Sequence, residues 1–187
     1  MVVEFRRHFG STRDNVKITV NNRYKILQGL FWMLFCVSFG FISLYLQGRG
    51  LSDAGIGIVT AVSGILAAIL QPLLGGITDR SNRLTWRSMI LLLCIPFLLV
   101  CILMPLIPGP FASAVLVGIL ILISNTTIPF VNSAHYYYTQ AGEYVNFGVA
   151  RGIGSGLFAV MALVIGGLAA RFGIEMVPIT GILISLL

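Results

Sequence analysis

From Ser88 to Gly142 the chain runs without a single Asp, Glu, Lys or Arg, and that stretch decides which solvent the fold must suit. Water does not suit it, because a soluble domain of this size cannot bury so long an apolar segment in one core. Hydrocarbon does: a spanning helix needs about 20 mainly apolar residues. Further uncharged stretches occupy 26–47, 54–78, 152–170 and 176–187. The whole chain follows the same rule, with 57% hydrophobic and 10% charged residues, against roughly 25% charged in soluble domains.

The long stretch exceeds one span and divides at Pro105, Pro108, Gly109 and Pro110, because proline lacks the donor that a continuing helix needs. The pattern predicts an all-α membrane protein with spans at 26–47, 54–78, 88–107, 111–134 and 146–170, and a sixth, incomplete span over 175–187. The domain reading is a basic N-terminal segment, 1–25, followed by a transmembrane bundle, 26–187. No small-residue cleavage motif follows the basic N-terminus, so that segment is expected to be retained.

The net charge of +6 does not imply a nucleic-acid partner, since the charges lie at the ends of apolar runs. Arg6, Arg7, Arg13, Lys17, Arg23 and Lys25 precede the first span, and Arg80, Arg83 and Arg87 link the second and third; the opposite side carries Arg49 and Arg171. The positive-inside rule places the N-terminus in the cytoplasm. Phe5, Phe9, Val16, Ile18 and Val20 among the bases allow residues 1–25 to lie along the anionic inner surface; a disordered tail is the other reading. Cys36, Cys94 and Cys101 fall inside apolar runs without metal-ligand spacing, so neither a metal nor a cofactor is expected. No nucleophile–base pair or phosphate loop is visible, which argues against an enzyme.

Arg151 is the one strong charge that no loop accommodates. Holding it at depth costs about 2.5–3.5 kcal/mol on insertion scales, and two readings stand: it faces a polar cavity and ligand, or it snorkels to the headgroups. Glu143 is a possible partner or a solvated loop residue. Gly148, Gly152 and Gly156 recur every fourth residue and give a bare helix face suited to packing against another helix. Ser124, Asn125, Thr126, Thr127, Asn132 and Ser133 cluster around Pro129, where they either satisfy kinked backbone or face a solute. His135 and Tyr136 to Tyr138 fit an interfacial belt. Gly75-Gly76 before Asp79-Arg80 and Gly166-Gly167 before Arg171 form a short match on opposite faces, as an inverted repeat would.

The run Gly75-x-x-x-Asp79-Arg80-x-x-Arg83 resembles the signature loop of the major facilitator superfamily, with Asn82 where that loop usually carries glycine. Phe31-Trp32-Met33, Leu44-Tyr45-Leu46 to Gly50-Leu51-Ser52, Asp53-Ala54-Gly55-Ile56, Gln71-Pro72-Leu73, and Phe147 to Arg151 with Gly154 and Gly156 resemble more particularly its oligosaccharide:proton symporters, the lactose permease group. The likeness runs from about Gln28 to the end.

The resemblance implies the N-terminal six-helix bundle, its sixth helix truncated, of a twelve-helix major facilitator fold in the plasma (inner) membrane. It implies sugar or related polar solute:proton symport by alternating access, with the C-terminal six-helix half, the proton and the lipid bilayer as partners. Arg151 falls on the arginine that binds sugar hydroxyls in that group, and Phe158 where an indole stacks on the sugar. Ser133, with Asn132 beside it, stands where a carboxylate is expected, which puts galactoside specificity in doubt. Gly75, Asp79, Arg80 and Arg83 would form the conformational signature loop. The coupling carboxylates and histidine of that group lie mainly in its second half, so this chain alone is not expected to drive uphill transport. A facilitator-fold exporter of drugs or amphipaths, and a non-transporting scaffold half, are the alternatives.

Overall fold

In the computed structural model, which describes residues 20–81 and 84–187, every regular element is a helix. α1 spans Val20–Gly40 and α2 Ile42–Gly48. They are followed by α3 Asp53–Arg80, α4 Trp86–Leu106, α5 Pro110–Gln140, α6 Phe147–Phe172 and α7 Met176–Ser185. α3 to α6 are each long and apolar enough to cross a bilayer, and α1 with α2 makes a fifth such rod, bent by 42° at its break. α7, at 10 residues, is shorter than the roughly 17 a span needs.

The helix ends differ from the expected ones where charge and helix propensity disagree. The first rod reaches back at least to Val20, past the expected start at residue 26, so the end of the expected 1–25 segment is helical; residues 1–19 lie outside the described residues. α5 continues past residue 134 through His135 and the three tyrosines to Gln140, since aromatic side chains end an apolar run without ending a helix. α6 begins at Phe147, where the Asn146 side chain accepts the Val149 N–H. Ser52 and Thr85 cap α3 and α4 in the same way, satisfying donors that a helix start leaves open. At the far end of α6, Gly173 turns the chain at φ 90°, a conformation that a side chain would oppose. α1 ends in a π-helical turn, Cys36–Gly40, which causes the break before α2.

α6 runs parallel to α1 and α2 along their whole length. The Asn146 N–H donates to Asn21 Oδ1 at 3.1 Å, Gly154 faces Trp32 and the Gln28 carbonyl, Gly166 faces Phe41, and Ile174 sits against Gly48. α3 runs parallel to α5 in the same manner, with Gly118 opposite Ser63 and Tyr137 donating to Asp79 at 3.5 Å. Ser63 precedes Gly154 by the spacing that separates Gly75 from Gly166, and each of the two meets the neighbouring helix of its pair. The sequence match between the second and fifth spans thus has a counterpart in packing. Small residues carry these contacts because apolar attraction between helices is weak in lipid.

Outward, α4 shows Leu91, Leu92, Ile95, Leu99 and Leu106, all exposed, and lipid is the solvent for that stripe. Inside, two carbonyls orphaned by proline find donors from other helices. Pro129 removes the N–H that Asn125 O would accept, and Gln71 Nε2 donates there at 3.0 Å. Pro108 does the same to Met104 O, which accepts from Tyr45 OH at 3.0 Å and Arg49 Nη2 at 3.2 Å. Arg49 also pairs with Glu175 at 2.7 Å. This guanidinium, read from sequence as one of two basic residues on the side opposite the N-terminus, ties α2, α4 and the start of α7 together.

A Cβ on Gly154 would lie 2.5 Å from the Trp32 ring and 3.3 Å from the Gln28 carbonyl, whereas one on Gly152 would meet nothing within 4 Å. Gly154→Val is therefore expected to destabilise the protein by about 1–3 kcal/mol and Gly152→Val to leave it unchanged, as read from thermal unfolding in lipid nanodiscs.

Candidate functional site

Arg151 lies just over one turn into α6, because the Asn146 cap sets the first helical residue at Phe147. Side chains on a helix lean toward its N-terminus. The Arg151 side chain reaches the other way, and its Nη1 donates to Ser155 Oγ at 2.8 Å, one turn deeper. Its guanidinium carbon sits 3.6 Å from the centroid of the Trp32 ring. A cation over an indole face gains about 0.5–1 kcal/mol where water reaches it, which favours this seat over the nearer helix end. Among the described residues no carboxylate pairs with it: Glu143 makes no ion pair there, and the salt bridge present is Arg49–Glu175.

The other edge of Trp32 is fixed from within α1. Its Nε1 donates to Gln28 Oε1 at 3.0 Å. Gln28 is fully buried and spends its amide N–H groups on Tyr24 OH at 2.7 Å and Asn132 Oδ1 at 3.3 Å. Tyr24, Gln28 and Trp32 recur at fourth positions and so share one face of α1. His135, one turn from Asn132 on α5, has its Nδ1 2.6 Å from the Asn132 carbonyl and packs its ring near Tyr24 and Phe147. The result is one connected polar and aromatic cluster across α1, α5 and α6, in which every amide is placed by a partner.

Of the residues singled out from sequence, Arg151 and Asn132 both enter this cluster, joined through Trp32 and Gln28. Ser133 instead donates to its own helix at the Phe130 carbonyl, 3.2 Å away. Ser124 and Thr127 do likewise to Leu120 O and Ile123 O, so these hydroxyls satisfy backbone. Phe158 is half-buried against the hydrophobic core, its ring tip beside Gly40 in the π turn; the ring on the guanidinium is that of Trp32.

In the signature run, Gly75 has nothing within 4 Å of where a Cβ would stand, Asp79 accepts from Tyr137, and Arg80 is exposed. Arg83 lies outside the described residues. Gly152 and Gly156 face open space, and a Cβ on Gly148 would meet Asn146 Oδ1 at 3.7 Å. Their bare face is thus turned away from the rest of the described chain. Sequence reasoning passed over Tyr24 and Gln28 because the first span was begun at residue 26, which put Gln28 at a helix end. An amide midway between Tyr24 and Trp32, just past the last charge of the first span, was the available signal.

Four apolar helices of spanning length, with polar side chains gathered among them, define an integral multi-pass membrane protein. The model of the MFS_1 like family matches residues 22–187, and the chain belongs to that family of the major facilitator superfamily, whose members are transporters rather than enzymes. No curated protein matches the chain, and no solved structure does.

Gln28→Leu would leave Trp32 Nε1 and the Asn132 amide without their partner, which is expected to cost about 1–3 kcal/mol of stability. Combined with Asn132→Leu, the second loss should be much smaller than when Asn132 is changed alone, as chemical unfolding of the double variant will show.

Proposed function

We propose that this chain is the N-terminal half of a secondary active transporter that moves a small solute with protons by alternating access, and that the solute's polar group meets Arg151. The inward reach of the guanidinium supports this, because a snorkelling arginine would reach for the nearer helix end. With one donor on Ser155 and its face on Trp32, the fork keeps further N–H groups for a ligand. Asn132 stands in the same cluster and would be the second polar contact, with Ser133 behind it. Phe158 would line the site near the π turn rather than stack beside Arg151.

The open faces carrying Gly75 on α3 and Gly148, Gly152 and Gly156 on α6 would receive the helices of a C-terminal six-helix half. Asp79, Arg80 and Arg83 would act in the exchange between conformations, and by the positive-inside rule the N-terminus would lie in the cytoplasm, with the plasma membrane holding the protein. For the solute, the resemblance favours a sugar, whose hydroxyls suit a planar donor fork. An amphipathic solute is the second reading, favoured by the aromatic rings that continue along α1 beyond Trp32.

Labelling checks the aqueous access on which any transport site depends. With Cys36, Cys94 and Cys101 replaced by alanine, Ser155→Cys is expected to react with a membrane-impermeant thiol reagent at least about tenfold faster than Leu91→Cys, since the thiolate forms only in water. Leu91 is 66% exposed on the outward stripe of α4. Equal inertness at both positions would remove the site.

A further inference from the structure

The aromatic rings beyond Trp32 form a continuous ladder. The Trp32 and Phe35 centroids are 5.0 Å apart, and Phe35 and Phe39 stack at 5.4 Å with an interplanar angle of 17°. With Gln28 they occupy positions i, i+4, i+7 and i+11, one face of a helix. From Trp32 to Phe39 the ladder climbs about 10 Å at 1.5 Å per residue. Its far rung does not close into the core: Phe39 is 46% exposed, although the residues just before it in the π turn, Cys36, Val37 and Ser38, are buried. At the near end stands the Arg151 guanidinium, on the face of the first ring. No carboxylate is paired with it among the described residues, and its remaining donors carry no protein acceptor.

A neutral sugar answers only part of this arrangement. It would use the donor fork, yet it would leave the positive charge uncompensated in an apolar setting, which is costly. One pyranose also covers one ring, not three. The chemistry that matches both ends is an anion with an elongated aromatic or apolar body: the anionic group takes the fork in charge-assisted hydrogen bonds, and the body lies along the ring edges in edge-to-face contact. Resting on the proposal that Arg151 meets the solute, we infer that the site takes a water-borne amphipathic monoanion with a planar apolar body, such as an aromatic carboxylate. Trp32, Phe35 and Phe39 then determine specificity along with Arg151.

Calorimetric titration of the full chain in phosphatidylcholine nanodiscs tests this with three probes: 2-naphthoate, its neutral analogue 2-naphthylmethanol, and the neutral disaccharide maltose. Naphthoate is expected to bind at least about tenfold tighter than the alcohol, an increment of about 1.4 kcal/mol, and maltose not to bind. Arg151→Gln should abolish the preference for the carboxylate, while Phe39→Leu should weaken both aromatic probes alike. Phe39 is exposed enough that this variant keeps its fold, which its unfolding temperature will verify. Maltose binding that depends on Arg151, without a carboxylate preference, would overturn the anion and leave the transporter proposal standing. No Arg151-dependent binding of any probe would overturn both. Loss of naphthoate binding when the nanodiscs contain phosphatidylglycerol would overturn a water-borne solute in favour of an anionic lipid.

Discussion

The arrangement of the site depends on a side chain that is absent. Because residue 154 is glycine, α6 comes close enough to α1 for the indole of Trp32 to lie in the space a Cβ would fill. That approach puts the indole face under the Arg151 guanidinium and turns its N–H toward Gln28. Gln28 in turn fixes Asn132 and Tyr24. The polar contacts therefore follow from one steric vacancy, and a cation is held inward by a ring whose position is set by packing. In lipid, where helices gain little from apolar contact, such a vacancy is also what brings the helices together.

A second constraint is the accounting of backbone groups where no water can serve them. Pro129 and Pro108 each leave a carbonyl without its helical donor, and at both the structure answers with a side chain from another helix. Gln71 serves Asn125 O, and Tyr45 with Arg49 serves Met104 O. These bonds do two things at once. They satisfy the kink, and they lock α3 to α5 at one level and α2 to α4 at another, so that the cluster around Arg151 is built on a frame fixed at several depths.

Much of the fold was legible because charge and proline mark where a chain can leave hydrocarbon. The uncharged stretches overlap the helices of spanning length among the described residues, though not the break that separates α2 from α1, and Arg151 was conspicuous as the charge no loop could take. The partners of that charge were not legible, for geometrical reasons. Gly148, Gly152 and Gly156 form the regular stripe that catches the eye, yet Gly154, about 200° around the helix from Gly152, is the glycine that meets α1. Periodicity shows that a face is bare, not which helix arrives on it. Trp32 was noticed only as part of a resemblance, since its role requires knowing that α1 and α6 run side by side in parallel. Arg49 and Glu175 are far apart in sequence, and nothing local to either announces their bridge.

The pairing of Arg151 with Trp32 is the contact on which the site stands, and a double-mutant cycle measures it without reference to any solute. Unfolding free energies of Trp32→Leu, Arg151→Met and the double variant in nanodiscs should yield a coupling of about 1 kcal/mol, the worth of a cation–π contact that water can reach. Effects that add within about 0.5 kcal/mol would contradict a guanidinium seated on that ring.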